Sequence, residues 1–163
     1  MEPLVKQLLN LALAGTLAAC ASSPQPVDTA PGGGVPQTVS GEPGAASPRA
    51  AVDRFLDTIK RQDIQATALV WGTDKGAARD QMTRDYQEKA IIIMQCYLAH
   101  DSYTILTDAP AEDDKRVFQV QLTNGSRTAQ TPFVTVEGPD DRWFVESAEL
   151  DPVKDFCRNP PQG

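Results

Sequence analysis

The chain has 163 residues, with 15 Lys and Arg against 22 Asp and Glu and a net charge of −7. Such acidity argues against nucleic acid as a partner and against adsorption to anionic lipid. A single histidine, three cysteines and no Cys-x-x-Cys leave no transition-metal motif, and no metal or cofactor is expected.

The first element is a short apolar run. Residues 8–19 are apolar apart from Asn10, Gly15 and Thr16, and only Lys6 and the amine, offset by Glu2, precede them. A run this short falls below the roughly 20 apolar residues that cross a bilayer. Its length suits the h-region of a signal peptide over residues 1–19. Leu17-Ala18-Ala19-Cys20 resembles the lipobox of bacterial lipoproteins. The resemblance implies a diacylglycerol on the Cys20 sulfur and, in most diderm bacteria, a further acyl chain on its amine. More than one chain is needed for durable anchoring. Ala21 is not the aspartate that marks inner-membrane retention in some lipoproteins. The expectation is therefore a lipid-anchored protein of the bacterial envelope, on the outer membrane facing the periplasm.

Residues 20–47 read as a tether. They are rich in Pro, Gly and Ser, contain Gly32-Gly33-Gly34 and lack any aromatic side chain. Such a composition cannot offset chain entropy by burial. About 27 flexible residues would span roughly 30 Å.

Residues 48–157 are expected to form one α+β domain, with residues 158–163 as a flexible tail. Ser47-Pro48 supplies an N-cap and first helical residue. Val52, Phe55, Leu56 and Ile59 then fall on one helical face. Asp63 caps a second short helix through Ile64, Ala68 and Trp71, stopped near Gly72. A third helix over 78–98 places Met82, Tyr86, Ala90, Ile93 and Tyr97 on one face. Its run Ala90-Ile91-Ile92-Ile93-Met94 predicts cover on several sides.

Beyond His100 the period changes to alternation. Strands are predicted over 102–108, 116–123, 127–137 and 142–150. Asn124-Gly125 predicts a two-residue hairpin turn, and Pro132 a bulge or an edge position. Asp113-Asp114 and Asp140-Asp141 lack calcium-loop spacing and read as solvated turn acids. The layout is N-terminal helices packed on a curved antiparallel sheet of about four strands.

The phrases Ala51-Val52-Asp53-Arg54-Phe55-Leu56-Asp57-Thr58-Ile59 and Asp63-Ile64-Gln65-Ala66-Thr67-Ala68-Leu69 resemble the opening helices of nuclear transport factor 2-like domains. Arg142-Trp143-Phe144-Val145-Glu146-Ser147 is similar to their final strand. The resemblance covers residues 48–150 and implies a cone-like α+β fold of the SnoaL-like, cystatin-like kind. In the enzymatic members a pocket between helices and sheet holds acid–base groups. Asp85, Tyr86, His100, Asp101 and Tyr103 are the candidates that this implies. Of these, Tyr86, His100 and Tyr103 are the expected pocket residues. Adjacent His and Asp on a strand face opposite ways, so His100-Asp101 is no ready-made pair, and no catalytic residue is assigned. Trp71 and Trp143 read as core anchors.

With Cys20 lipidated, Cys96 and Cys157 remain as an even pair in an oxidising compartment. A disulfide joining the third helix to the C-terminal tail is predicted. Two function classes follow. The preferred one is a non-catalytic envelope lipoprotein, held to the membrane through Cys20, that binds a protein partner or a small apolar ligand. The alternative is an enzyme of the polyketide-cyclase or ketosteroid-isomerase type.

Overall fold

The structure, a computed structural model, describes residues 41–158. The expected signal peptide, Cys20, the tether as far as residue 40 and the tail from residue 159 lie outside the described residues.

Helices come first and an antiparallel sheet follows. α1 (Pro48–Lys60) starts where local chemistry directs it: Ser47 accepts from Ala50 N at 3.2 Å, and Pro48 occupies the first turn. α2 (Ile64–Val70) is capped by Asp63, which accepts from Ala66 N at 2.9 Å. The chain then makes a small hairpin, β1 (Gly72–Thr73) and β2 (Gly76–Ala77). Next come α3 (Ala78–Gln81) and α4 (Arg84–Tyr97).

Four strands complete a meander in the order β3 (Ser102–Pro110), β4 (Arg116–Asn124), β5 (Arg127–Glu137) and β6 (Trp143–Ala148). A parallel bridge from Trp71 to Val145 joins the hairpin region to β6. The short α5 (Lys154–Arg158) ends the described chain.

The core lies between α1 and the sheet. On β4, Phe118, Val120 and Leu122 are fully buried. The alternating Gln119 and Gln121 remain part-exposed on the other face. Phe55 of α1 meets Phe133 of β5 edge-on, with ring centroids 6.1 Å apart. Phe55, Leu56 and Ile59 are at most 1% exposed. Each side chain buried to this degree contributes about 1.5–3 kcal/mol.

Several expectations are corrected. Residues 41–47 are part of the domain rather than the tether: Ala45 and Trp143 exchange both backbone hydrogen bonds at 2.8 Å, and Gly44 N donates to Leu69 O at 2.8 Å. The third helix is two helices. Met82 and Thr83 are extended, with ψ of 153° and 145°, so the helical phase restarts after them. The buried face of α4 is consequently Gln87, Ile91, Met94 and Leu98, not the predicted Tyr86 and Ile93. Nor is this helix covered on several sides: Tyr86 is 63%, Ile92 54% and Ile93 51% exposed.

Pro132 sits in a central strand. Its carbonyl accepts from Glu149 N at 3.1 Å. Its nitrogen faces the same neighbour, beyond the last rung of β6 at Phe133–Ala148, so no ladder bond is lost. The register shifts fall instead at Ile105/Thr107 and Val134/Thr135. The hairpin loop is Gly125-Ser126, with Asn124 paired to Arg127. Gly125, at φ +60°, takes the first central position of the turn.

Candidate functional site

The layer between helices and sheet holds side chains rather than a chamber. Phe118, Val120, Leu122 and Phe133 on the helix-facing side of the sheet are all at 0% exposure. The larger clefts therefore open at the rim, and two of them share His100 as a wall.

Of the three expected pocket residues, the fold brings two together. The rings of His100 and Tyr103 lie 5.7 Å apart at 84°. Tyr86 stands apart on the exposed side of α4. Asp85 is exposed on the first turn of the same helix. Asp101 turns to the hairpin, where its Oδ2 accepts from Gly125 N at 2.7 Å. Trp71 and Trp143 are half-buried against the core, and Trp71 Nε1 donates to Glu146 O at 3.3 Å.

Tyr103 donates its hydroxyl to Asp53 Oδ1 at 2.8 Å. Burial first, and then this bond, raise its pKa to about 12. Such a phenol is a poor proton donor at neutral pH.

His100 is 7% exposed, and its Nδ1 lies 2.8 Å from Leu98 O. A carbonyl can only accept, so Nδ1 carries the proton. Burial pushes the imidazole below its ordinary pKa, and the charge on Lys60 adds to this, against the opposing pull of the Leu98 carbonyl and Asp101. The neutral ring then presents a bare lone pair at Nε2, and that atom has no partner. This arrangement can accept a hydrogen bond. Burial makes the ring a weaker base than a free imidazole.

The first cleft, 510 Å³, runs between the C-terminal end of α1, α4 and α5. Its apolar wall includes Ile59, Ile92 and Phe156, and its polar groups include Lys60, Gln95 and His100. Cys96 and Cys157 form part of the same wall, with their sulfurs 2.03 Å apart and their Cα atoms 4.9 Å apart. The second cleft, 680 Å³, is charged: Asp53, Arg54, Asp57 and Lys60 line it beside His100 and Tyr103. Among the described residues no group of three His, Cys, Asp or Glu side chains is placed to hold a metal. None of the described helices is long and apolar enough to cross a membrane.

Asp53 and Gln95 carry no signal in the sequence that marks them as site residues. Asp53 sits 50 residues from Tyr103 and resembles any exposed helical acid. Gln95 lies one turn from Ile91 in an apolar run, with nothing in the sequence to mark it. No protein-family model, curated protein or solved structure shows a significant match to this chain.

Proposed function

We propose that the chain is a lipid-anchored protein of the bacterial envelope whose nuclear transport factor 2-like domain is a non-catalytic binding module. The anchor rests on Leu17-Ala18-Ala19-Cys20 after its short apolar run. The family reading rests on the phrases over 51–59, 63–69 and 142–147, and helices followed by a four-stranded antiparallel meander are the α+β layout that it implies. The single observation that carries the binding reading is the filled helix–sheet interface: Phe55, Phe118 and Phe133 occupy at 0% exposure the space an internal catalytic pocket would need. Recognition then belongs to the rim and the surface.

The enzyme reading rests on the contact between His100 and Tyr103. It would require a substrate to engage a phenol already committed to Asp53.

Palmitate labelling of the wild type and of Cys20→Ser tests the anchor. Labelling should be lost in the variant, and equal labelling of both would overturn the anchored reading. Incubation of the Cys20→Ser variant with a panel of cyclisable polyketides and 3-ketosteroids should give no turnover. Turnover abolished by Tyr103→Phe would establish the enzyme reading instead.

A further inference from the structure

Two polar nitrogens behind one cleft have no hydrogen-bond partner. Among the described residues, the buried side-chain polar atoms without a partner are Gln95 Nε2 and His100 Nε2. Both residues line the 510 Å³ cleft between α1, α4 and α5. Buried polar atoms are rarely left unpaired, and two beside one cleft point to a missing group.

Their chemistry is complementary. His100 Nδ1–H is committed to Leu98 O, so Nε2 needs a donor. The Gln95 amide nitrogen needs an acceptor. A hydroxyl supplies both roles with one oxygen. A carboxylate or an ether oxygen can only accept. A carboxylate would set an oxygen lone pair against the bare lone pair at His100 Nε2, a mismatch that the charge on Lys60, itself bonded to Asp101 O, does not repair.

The rest of the cleft is apolar where it meets solvent. Ile92 is 54% exposed at its wall, with Phe156 and Ile59 also lining it. The cleft volume falls within the range of roughly 300–1,000 Å³ that takes a small molecule.

We propose that this cleft binds a small neutral amphiphile, with a hydroxyl head bonded to His100 and Gln95 and an alkyl body against Ile92 and Phe156. The assignment deepens the reading of the domain as a binder and does not depend on the anchor. A chain without lipid on Cys20 carries the same cleft.

The test is an NMR titration of the full-length Cys20→Ser chain with 1-hexanol, its methyl ether and hexanoate. Hexanol should shift the Ile92 methyl and the His100 imidazole saturably. It should bind at least ten-fold more tightly than the ether and than hexanoate, neither of which can donate to His100 Nε2. Gln95→Leu removes the donor to the head-group oxygen, so it should weaken hexanol about ten-fold and weaken the ether as well, while hexanol keeps its advantage over the ether through His100. Equal affinity for hexanol and ether would overturn the proposal. So would shifts that avoid Ile92 and His100, or the absence of saturable shifts, which would assign the two nitrogens to buried water. If Gln95→Leu fails to fold, the three-probe comparison on the unsubstituted cleft decides alone. Loss of palmitate labelling and loss of hexanol binding are separate readouts, so failure of either reading is seen independently.

Discussion

Tyr103 reaches across 50 residues of sequence to donate its hydroxyl to Asp53 Oδ1 at 2.8 Å. The bond fastens an edge strand to α1. β3 pairs on one side only, and most of its residues are exposed, so this side-chain tie matters more here than it would in a central strand. Removing it by Tyr103→Phe should cost about 1 kcal/mol at pH 8, the usual worth of one such bond. The pKa of Tyr103 is raised from 10.0 to about 12 in the fold. Its contribution is therefore fully present below the unfolded value and is lost as pH rises through the folded one. In urea titrations the gap between wild type and variant should narrow between pH 10 and 12. A gap that stays constant over that window would show that the hydroxyl is not what separates them.

Gly44 provides a test of where the domain begins. It has φ +64°, and a Cβ there would lie 2.9 Å from both Arg142 Cβ and Phe144 Cζ. Arg142 Nη2 also donates to Gly44 O at 3.2 Å, and the Arg54 guanidinium donates to the same oxygen. Gly44→Ala should therefore cost about 1–2 kcal/mol from the left-handed backbone alone, with the steric contact in addition. Thermal unfolding should fall by several degrees, whereas Ala46→Gly, two residues on and exposed, should change stability by about 0.5 kcal/mol or less. Equal melting of the two variants would return residues 41–47 to the tether.

The features legible in the sequence were those encoded locally. Ser47 and Asp63 announce their helices because a cap acts on a backbone group three residues away. Phe118, Val120 and Leu122 announce their strand because period 2 survives wherever one face is buried. The illegible features depend on distant backbone or on phase. Gly44 and Ala45 look like spacer, yet they pair with Leu69 and Trp143 through main-chain atoms that composition does not record. The face of α4 is not legible in the sequence because extended Met82 and Thr83 reset the helical phase. The β1–β2 hairpin is too short to alternate at all. At the site, His100 and Tyr103 are near in sequence, and their residue types mark them as candidates. Asp53 and Gln95, which give that site its hydrogen-bonding character, come from other elements.

The Cys96–Cys157 bond closes a loop of 61 residues. In the chain-entropy model, such a loop stabilises the fold by about 4 kcal/mol. α5 spans Lys154–Arg158, far too short to persist as an isolated helix. Cys157→Ser should therefore lower global stability by several kcal/mol. It should also raise amide exchange over 154–158 before β4 and β5 lose protection. Because Phe156 and Cys157 form one wall of the 510 Å³ cleft, hexanol binding should weaken in the same variant. Non-reducing peptide mapping checks the premise directly, and recovery of both cysteines as free thiols would reject it.

The buried imidazole should contribute to the loss of stability on the acid side. His100 is 7% exposed, and burial chiefly holds its pKa below the ordinary 6.5. A depressed folded-state pKa gives stability that is present above the unfolded value and lost as pH falls below it. Protonation would place a second N–H at Nε2, where no acceptor waits, with the cationic Lys60 adding repulsion. His100→Gln has no proton to take up. It should be about 1 kcal/mol less stable than wild type at pH 7, through loss of the bond to Leu98 O. The two proteins should converge as pH falls from 6.5 towards 5 in chemical denaturation. If the difference between them holds constant to pH 5, His100 accepts its proton without penalty, and the neutral, lone-pair state assigned to Nε2 does not describe the protein.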